Sequence, residues 1–185
     1  MLFRSGDELF AQSNLLAITE KDRVLGRPDA PNTIVEYASL SCWSCARFHN
    51  EVLPVVKRRW IDTGRVRLVY RHFPLDNVAT KAAHMTECLP PAQFFAGLEA
   101  MFRAQDGWVR AADPGAEAAR LAGMNGSTAY ACQVNPSPLN KVLSDVQSGQ
   151  ALGVTSTPTL FVNGQNVGNP GDPDAIDAIL RKAGR

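Results

Sequence analysis

The sequence contains no run of about eighteen apolar residues, so no segment is expected to cross a bilayer as a helix. Its start, Met1 to Glu8, lacks a basic stretch followed by an apolar core, so no secretory signal is expected there. Neither sign of charge is in excess. Nineteen basic residues face eighteen acidic ones, for a formal net charge of +1, which argues against nucleic acid as a partner because no surplus exists to neutralise a phosphate backbone. Internal repeats and low-complexity tracts are absent too, which suits one domain, or one domain carrying a sizeable insertion. Cysteine is scarce, with four in 185 residues: Cys42, Cys45, Cys88 and Cys132.

What is present is enough for a packed core. Hydrophobic residues make up 45% of the chain, which excludes wholesale disorder. An even cysteine count, with one close pair and one distant pair, fits an oxidising compartment in which one pair reacts and the other braces the fold. The alternative is a reducing compartment and four unpaired thiols serving as small buried hydrophobes.

Residues 1–30 read as a polar extension ending in the turn-rich Gly26-Arg27-Pro28-Asp29-Ala30-Pro31. Thr33 to Leu40 is β-branched and aromatic enough for a buried strand. The period then changes: Ala46, Phe48, Val52, Leu53, Val56 and Trp60 share a helical face, predicting a helix over 43–62 that is kinked at Pro54 and ended by Thr63-Gly64. Arg65 to His72 alternates as a second strand, closed by Phe73-Pro74, and completes a βαβ unit. From 76 to 149 the pattern is helical, with runs over 79–89, 92–104, 114–122, 127–134 and 138–152. Strand character returns at Thr159 to Val162, turns at Asn163-Gly164 and pairs back through Gln165 to Val167. A last helix over 174–182 follows Pro173. The class is α/β, with a helical insertion.

Cys42-Trp43-Ser44-Cys45 lies where strand gives way to helix. A sulfur at a helix start faces unpaired backbone N–H groups and the positive end of the helix dipole, both of which favour thiolate. A stabilised thiolate leaves readily, so its disulfide is a better oxidant. Cys42 is therefore expected to be the nucleophile, and Cys45, one turn inside, the resolving thiol. The competing reading is zinc, with Cys42, Cys45 and His49 at ligand-like spacing and His72 completing the set. Only one short knuckle exists, however, and His49 would serve equally as a surface helix residue.

The stretch Glu36 to His49 resembles the strand, Cys-x-x-Cys and helix of the DsbA-like branch of the thioredoxin superfamily. Gly153 to Gly164 is similar to the segment where that family carries a cis-proline facing the reactive sulfur, and the helical insertion is shared. The resemblance covers nearly everything after residue 25. It implies a thioredoxin fold over 31–75 and 150–185 with an inserted α-helical domain over 76–149. It implies a cis Thr157-Pro158 bond, and proline has no N–H to compete for a substrate backbone. Thr157 would then offer main-chain groups to an extended client. It also implies an acid beneath the redox pair: Glu36 would accept the proton of Cys45, the alternative being a carboxylate salt-bridged to a nearby lysine or arginine. Where the family's best-known oxidants carry proline and histidine between the cysteines, this chain has Trp43 and Ser44. Losing the imidazole removes one support for the thiolate, and a Ser44 hydroxyl is a weaker donor, so a less oxidising centre is expected. Trp43 at the mouth would give apolar contact surface.

Cys88 and Cys132 have no comparable helix-start setting and read as structural. If joined, they would stabilise the block by roughly 4 kcal/mol in the chain-entropy model; two free buried thiols are the alternative. His72 and His84 read as satisfied polar residues, and Asn125-Gly126-Ser127 matches a glycosylation sequon weakly.

The expected function is a thiol:disulfide oxidoreductase acting as oxidant on unfolded or reduced exported proteins, in the periplasm or an equivalent exported setting. It would work as a monomer, with no cofactor beyond the cysteine pair and no metal. The resemblance implies reoxidation by a DsbB-like membrane partner. The alternatives are a disulfide isomerase or reductase, and a non-catalytic binding or chaperone domain with a zinc-type cysteine pair.

Overall fold

A computed structural model describes residues 6–183, with side chains from residue 11 onward. The outermost residues of the expected extension (1–30) and of the second fold segment (150–185) lie outside the described residues.

Among the described residues, five strands form one sheet in the order β1 (Arg23–Leu25), β3 (Val66–His72), β2 (Asn32–Ala38), β4 (Thr159–Val162), β5 (Gln165–Gly168). β2 and β3 run parallel and every other pairing is antiparallel. The β2–β3 crossover is helical, as a parallel pair requires. β2 is the third of the five strands, and its register sets Glu36 between Tyr70 on β3 and Leu160 on β4. Asn163, at φ 46°, and Gly164, at φ 86°, turn the β4–β5 hairpin through the left-handed conformation that Asn-Gly supplies at low cost.

The sequence does not announce β1. Within residues 1–30 the structure forms α1 (Gly6–Leu16) and then this three-residue edge strand. A strand so short shows no alternation. It is held instead by tertiary contacts, as Arg23 reaches Glu87 at 2.9 Å and Val24 packs on the core around Tyr37 and Val69.

The crossover is helical over 43–61 but not uniformly α. α2 (Trp43–Arg47) passes into a π turn (Phe48–Val52), then α3 (Leu53–Val56), then a second π turn (Lys57–Ile61). The expected Pro54 kink is absorbed here. Leu53 N–H bonds the Phe48 carbonyl five residues back, one residue ahead of a proline that has no N–H to offer. The extra residue lets Phe48, His49, Val52 and Leu53 all turn inward.

Between β3 and β4 lie α4 (Asn77–Glu87), α5 (Pro91–Arg103), α6 (Gln105–Trp108), α7 (Pro114–Leu121), α8 (Gly126–Val134) and α9 (Pro136–Ala151), and α10 (Pro173–Ala183) ends the described chain. Asp76 caps α4 by accepting from Ala79 N–H at 2.7 Å. One face of the sheet packs on the crossover helix, α10 and the helical block, around Ile34, Leu68, Phe94, Met101 and Phe102. The other buries Val35, Tyr37, Val69 and Phe161 against Leu16 and Val154. α9 lies so close to this second face that a Cβ at Gly149 would meet the Phe73 ring at 2.8 Å. Among the described residues, no helix is long and apolar enough to cross a membrane.

Candidate active site

β2 ends one turn before Cys42, and α2 begins with Trp43, so Cys42 is the N-cap, with extended backbone at φ −78° and ψ 121°. The loop is fixed from outside the βαβ unit. Gln105 of α6 donates to the carbonyls of Leu40 (2.7 Å) and Cys42 (3.0 Å), and Ser41 donates to Asp76 at 2.6 Å. The sequence reading missed both anchors. Asp76 heading a helix was a legible capping signal, whereas the four-residue α6 that carries Gln105 has none.

Both cysteines of the Cys-x-x-Cys pair are free thiols, Cys42 partly exposed and Cys45 buried. Cys42 Sγ lies 3.3 Å from the Thr157 carbonyl oxygen, to which the thiol donates. The Thr157–Pro158 bond is cis. Several donors converge on the same sulfur and bring its pKa down to about 5. The largest influence is a hydrogen bond from the Cys45 thiol; burial opposes, and the Thr157 hydroxyl and the backbone N–H groups of Cys45 and Ser44 add to the lowering. The Thr157 hydroxyl is buried and, among the described residues, has no hydrogen-bond partner of ordinary geometry. Ser44 thus acts on the thiolate through its main chain. Burial pushes the Cys45 thiol far above its ordinary range, reinforced by Cys42 and by the charge of Glu36. Of two thiols three residues apart, one is readily ionised and the other keeps its proton. That is the asymmetry an exchange centre requires.

Glu36 is fully buried, and its partner is neither lysine nor arginine. His49 Nε2 sits 3.0 Å from each of its carboxylate oxygens. This corrects the reading of His49 as a surface residue or zinc ligand. It is 6% exposed, stacked on Phe102 at 4.2 Å and edge-on to Tyr70 at 5.8 Å. The first π turn brings it inward, and a straight helical wheel would not reveal that. His72 is also directed elsewhere, toward Glu87 Oε1 (3.3 Å) and the Thr86 hydroxyl (3.3 Å).

Trp43 is 67% exposed beside Cys42 and borders a shallow recess with Ser44, Arg47, Phe48, Asn169 and Gly171. Away from the site, Cys88 and Cys132 are joined, linking the end of α4 to α8 with Cα atoms 5.8 Å apart. Among the described residues, the three ligand-type side chains drawn together are His84, Cys88 and Cys132. Both sulfurs there are consumed in the disulfide, and His84 Nε2 lies 3.0 and 3.1 Å from the carbonyl oxygens of Cys132 and Asn135. Asn125 is exposed and caps α8.

An acidic thiol at a helix start, a buried partner three residues on and a cis-proline against the sulfur make a Cys-x-x-Cys centre on a thioredoxin fold, the fold that the chain shares with DsbA-like structures. The thioredoxin family model matches residues 18–182, and the chain belongs to that family. The crystal structure of Wolbachia pipientis α-DsbA1 superposes with a TM-score of 0.83 and 29% identity, covering 92% of this chain and 94% of that one. Disulfide bond formation protein D of Bacillus subtilis is 27% identical over 167 residues, 86% of this chain and 75% of that protein. The Na(+)/H(+) antiporter NhaA 3 of Salinispora tropica is 29% identical over 167 residues, which are 89% of this chain and 25% of the antiporter. The chain thus spans about a quarter of the length of the antiporters it matches.

Proposed function

We propose that this chain introduces disulfides into reduced, exported polypeptides through Cys42 and Cys45. The observation that carries the reading is the Cys42 sulfur at a helix start, 3.3 Å from the Thr157 carbonyl beside a cis-proline, with the buried Cys45 thiol three residues on. A substrate thiolate attacks Cys42 Sγ, the Cys42–Cys45 bond breaks, and the departing Cys45 takes back the proton that Glu36 accepted when the Cys42–Cys45 disulfide formed. A second substrate thiolate then attacks the substrate sulfur of the mixed disulfide. The new disulfide leaves with the substrate, and Cys42 departs as its stabilised thiolate.

Trp43 and Ser44 line the approach to the sulfur. Thr157 and Pro158 offer backbone without a competing N–H, suited to an extended client strand. The centre uses no cofactor beyond its cysteine pair, and a DsbB-like membrane protein reoxidises it in an exported compartment. Residues 76–149 act as an inserted helical domain over a thioredoxin fold formed by 31–75 and 150–185. The name of the Bacillus subtilis relative, disulfide bond formation protein D, supports the oxidant direction.

The test is disulfide transfer to a reduced peptide with two cysteines. The oxidised protein is expected to oxidise it stoichiometrically, Cys42→Ser to abolish transfer, and Cys45→Ser, loaded as a mixed disulfide at Cys42, to pass that group to a client thiol. Efficient rearrangement of scrambled disulfides with little net oxidation would favour the isomerase reading. Tight zinc binding with no transfer would overturn both.

A further inference from the structure

The resolving cysteine has a problem that the redox pair alone does not solve. When Cys45 attacks a mixed disulfide on Cys42, it must first give up a proton held firmly by burial. The carboxyl group whose charge acts on Cys45, Glu36, is itself fully buried on a central strand. A carboxyl group without water tends to keep its own proton unless hydrogen bonds favour the anion, and a protonated acid accepts nothing. Resting on the exchange function above, we propose that His49 is the positioning residue that holds Glu36 as a carboxylate aimed to take the proton of Cys45.

The geometry supplies each part of this role. Nε2 is 3.0 Å from both Oε1 and Oε2, so in the tautomer with its proton on Nε2 a single N–H is shared by the two oxygens and fixes the plane of the carboxylate. The imidazole is itself clamped, face to face with Phe102 of α5 at 4.2 Å and edge-on to Phe48 at 5.7 Å and Tyr70 at 5.8 Å. Its place on the inner side of the helix depends on the π turn Phe48–Val52. The surrounding groups leave the task to His49. α2 contributes Cys45, the proton donor. β3 contributes Tyr70, whose hydroxyl is buried without a partner and is pushed well above its ordinary value, first by burial and then by the charges of Glu36 and Cys45. α5 presents the uncharged Phe102. Farther along β3, His72 is paired with Glu87 of α4, and its backbone N–H is bonded to Asp145 of α9.

In the resolving step the proton passes from Cys45 Sγ to a Glu36 oxygen as Cys45 Sγ bonds Cys42 Sγ. The bond between Cys42 and the foreign sulfur breaks, and that sulfur leaves with the electron pair. Oxidised glutathione serves as the probe: the reduced protein is mixed with it, quenched in acid, and the Cys42–glutathione mixed disulfide is counted by mass spectrometry against pH. His49→Leu is expected to slow resolution at neutral pH at least about tenfold, a part of the roughly 100-fold or more that general-base assistance supplies, and to move the pH dependence of that step upward. His49→Gln, which keeps an N–H donor, is expected to restore part of the rate. Alkylation of Cys42 reads the site's integrity and is expected to keep its pH profile in both variants.

Adding His49→Leu to Glu36→Gln is expected to change nothing further, because His49 acts through Glu36. If Glu36→Gln slows resolution while His49→Leu does not, the role given to His49 is wrong and the acid's stands. If Glu36→Gln has no effect, the proton route itself falls, and the inference with it. An equal loss in His49→Leu and His49→Gln, with Cys42 alkylation also altered, would show a structural residue only and overturn the proposal.

Discussion

At the scale of single residues, the chemistry reduces to which sulfur carries a charge. The Cys42 anion is surrounded by donors from three places: its own helix, its partner thiol and the cis-proline loop. The Thr157 hydroxyl is the one donor in this set that a small substitution can delete. Thr157→Val keeps the shape and the Thr157 carbonyl contact but removes a hydroxyl that can turn to the anion, and a hydrogen bond to a charged group is an interaction on the order of 1.5–3 kcal/mol. Titration of the variant by alkylation is expected to show a higher Cys42 midpoint, with about tenfold less thiolate at any pH below it. An unchanged midpoint would mean the hydroxyl does not reach the sulfur. Only part of this set is legible in sequence. A cysteine between a β-branched strand and an amphipathic helix announces the backbone donors. Thr157 arrives only through the resemblance around Pro158, and the Cys45 thiol as largest donor depends on how far the first helical turn closes.

At the scale of elements, what was legible follows local periodicity, and what was missed depends on contacts distant in sequence. Strands β2 and β3, the helical crossover, the helical block and the Asn163-Gly164 hairpin all carry their signal in a few adjacent residues. β1 and α6 are too short to show a period, and the π turns arise because Pro54 and the core together favour a wider turn. His49 stayed hidden for that reason, as did the tie that holds β3 to the N-terminal segment. In that tie Arg71, almost wholly buried, bonds Asp22 at 3.0 and 3.1 Å, Tyr37 at 2.9 Å and the Leu15 and Ala17 carbonyls. Burial would raise the Asp22 carboxyl, but its bonds from Arg71 and Thr19 bring it below the ordinary value. Asp22→Asn leaves Arg71 buried without a countercharge and is expected to cost about 3 kcal/mol in urea unfolding, toward the lower end of broken buried pairs because the amide still accepts. A loss within about 0.5 kcal/mol, typical of a surface change, would show that the pair is already well hydrated.

At the scale of the whole molecule, the two cysteine pairs do different work. Cys88–Cys132 closes a loop of 44 residues' separation in the helical block, a constraint worth about 4 kcal/mol by chain entropy. The Cys42–Cys45 pair instead ties redox state to stability. In the reduced protein the folded Cys42 value, about 5, lies below the ordinary 9.0, so the folded state gains stability from it above the unfolded value and loses that gain as pH falls through 5. Cys45 is shifted the other way, and its contribution changes only above the ordinary thiol value. The oxidised protein lacks both thiols but shares every other titrating group. The Tm of the reduced form relative to the oxidised form is therefore expected to fall steadily as pH is lowered from 9 towards 5. A difference independent of pH in this window would contradict it.

The most direct test of the account is the pH dependence of Cys42 alkylation in the reduced protein, with Cys45 shielded by its burial and Cys88–Cys132 intact. The rate is expected to follow a single ionisation with its midpoint near 5 and to be fully developed at neutral pH. A midpoint near 8.5, that of a free cysteine, would contradict the stabilised thiolate on which the exchange chemistry depends.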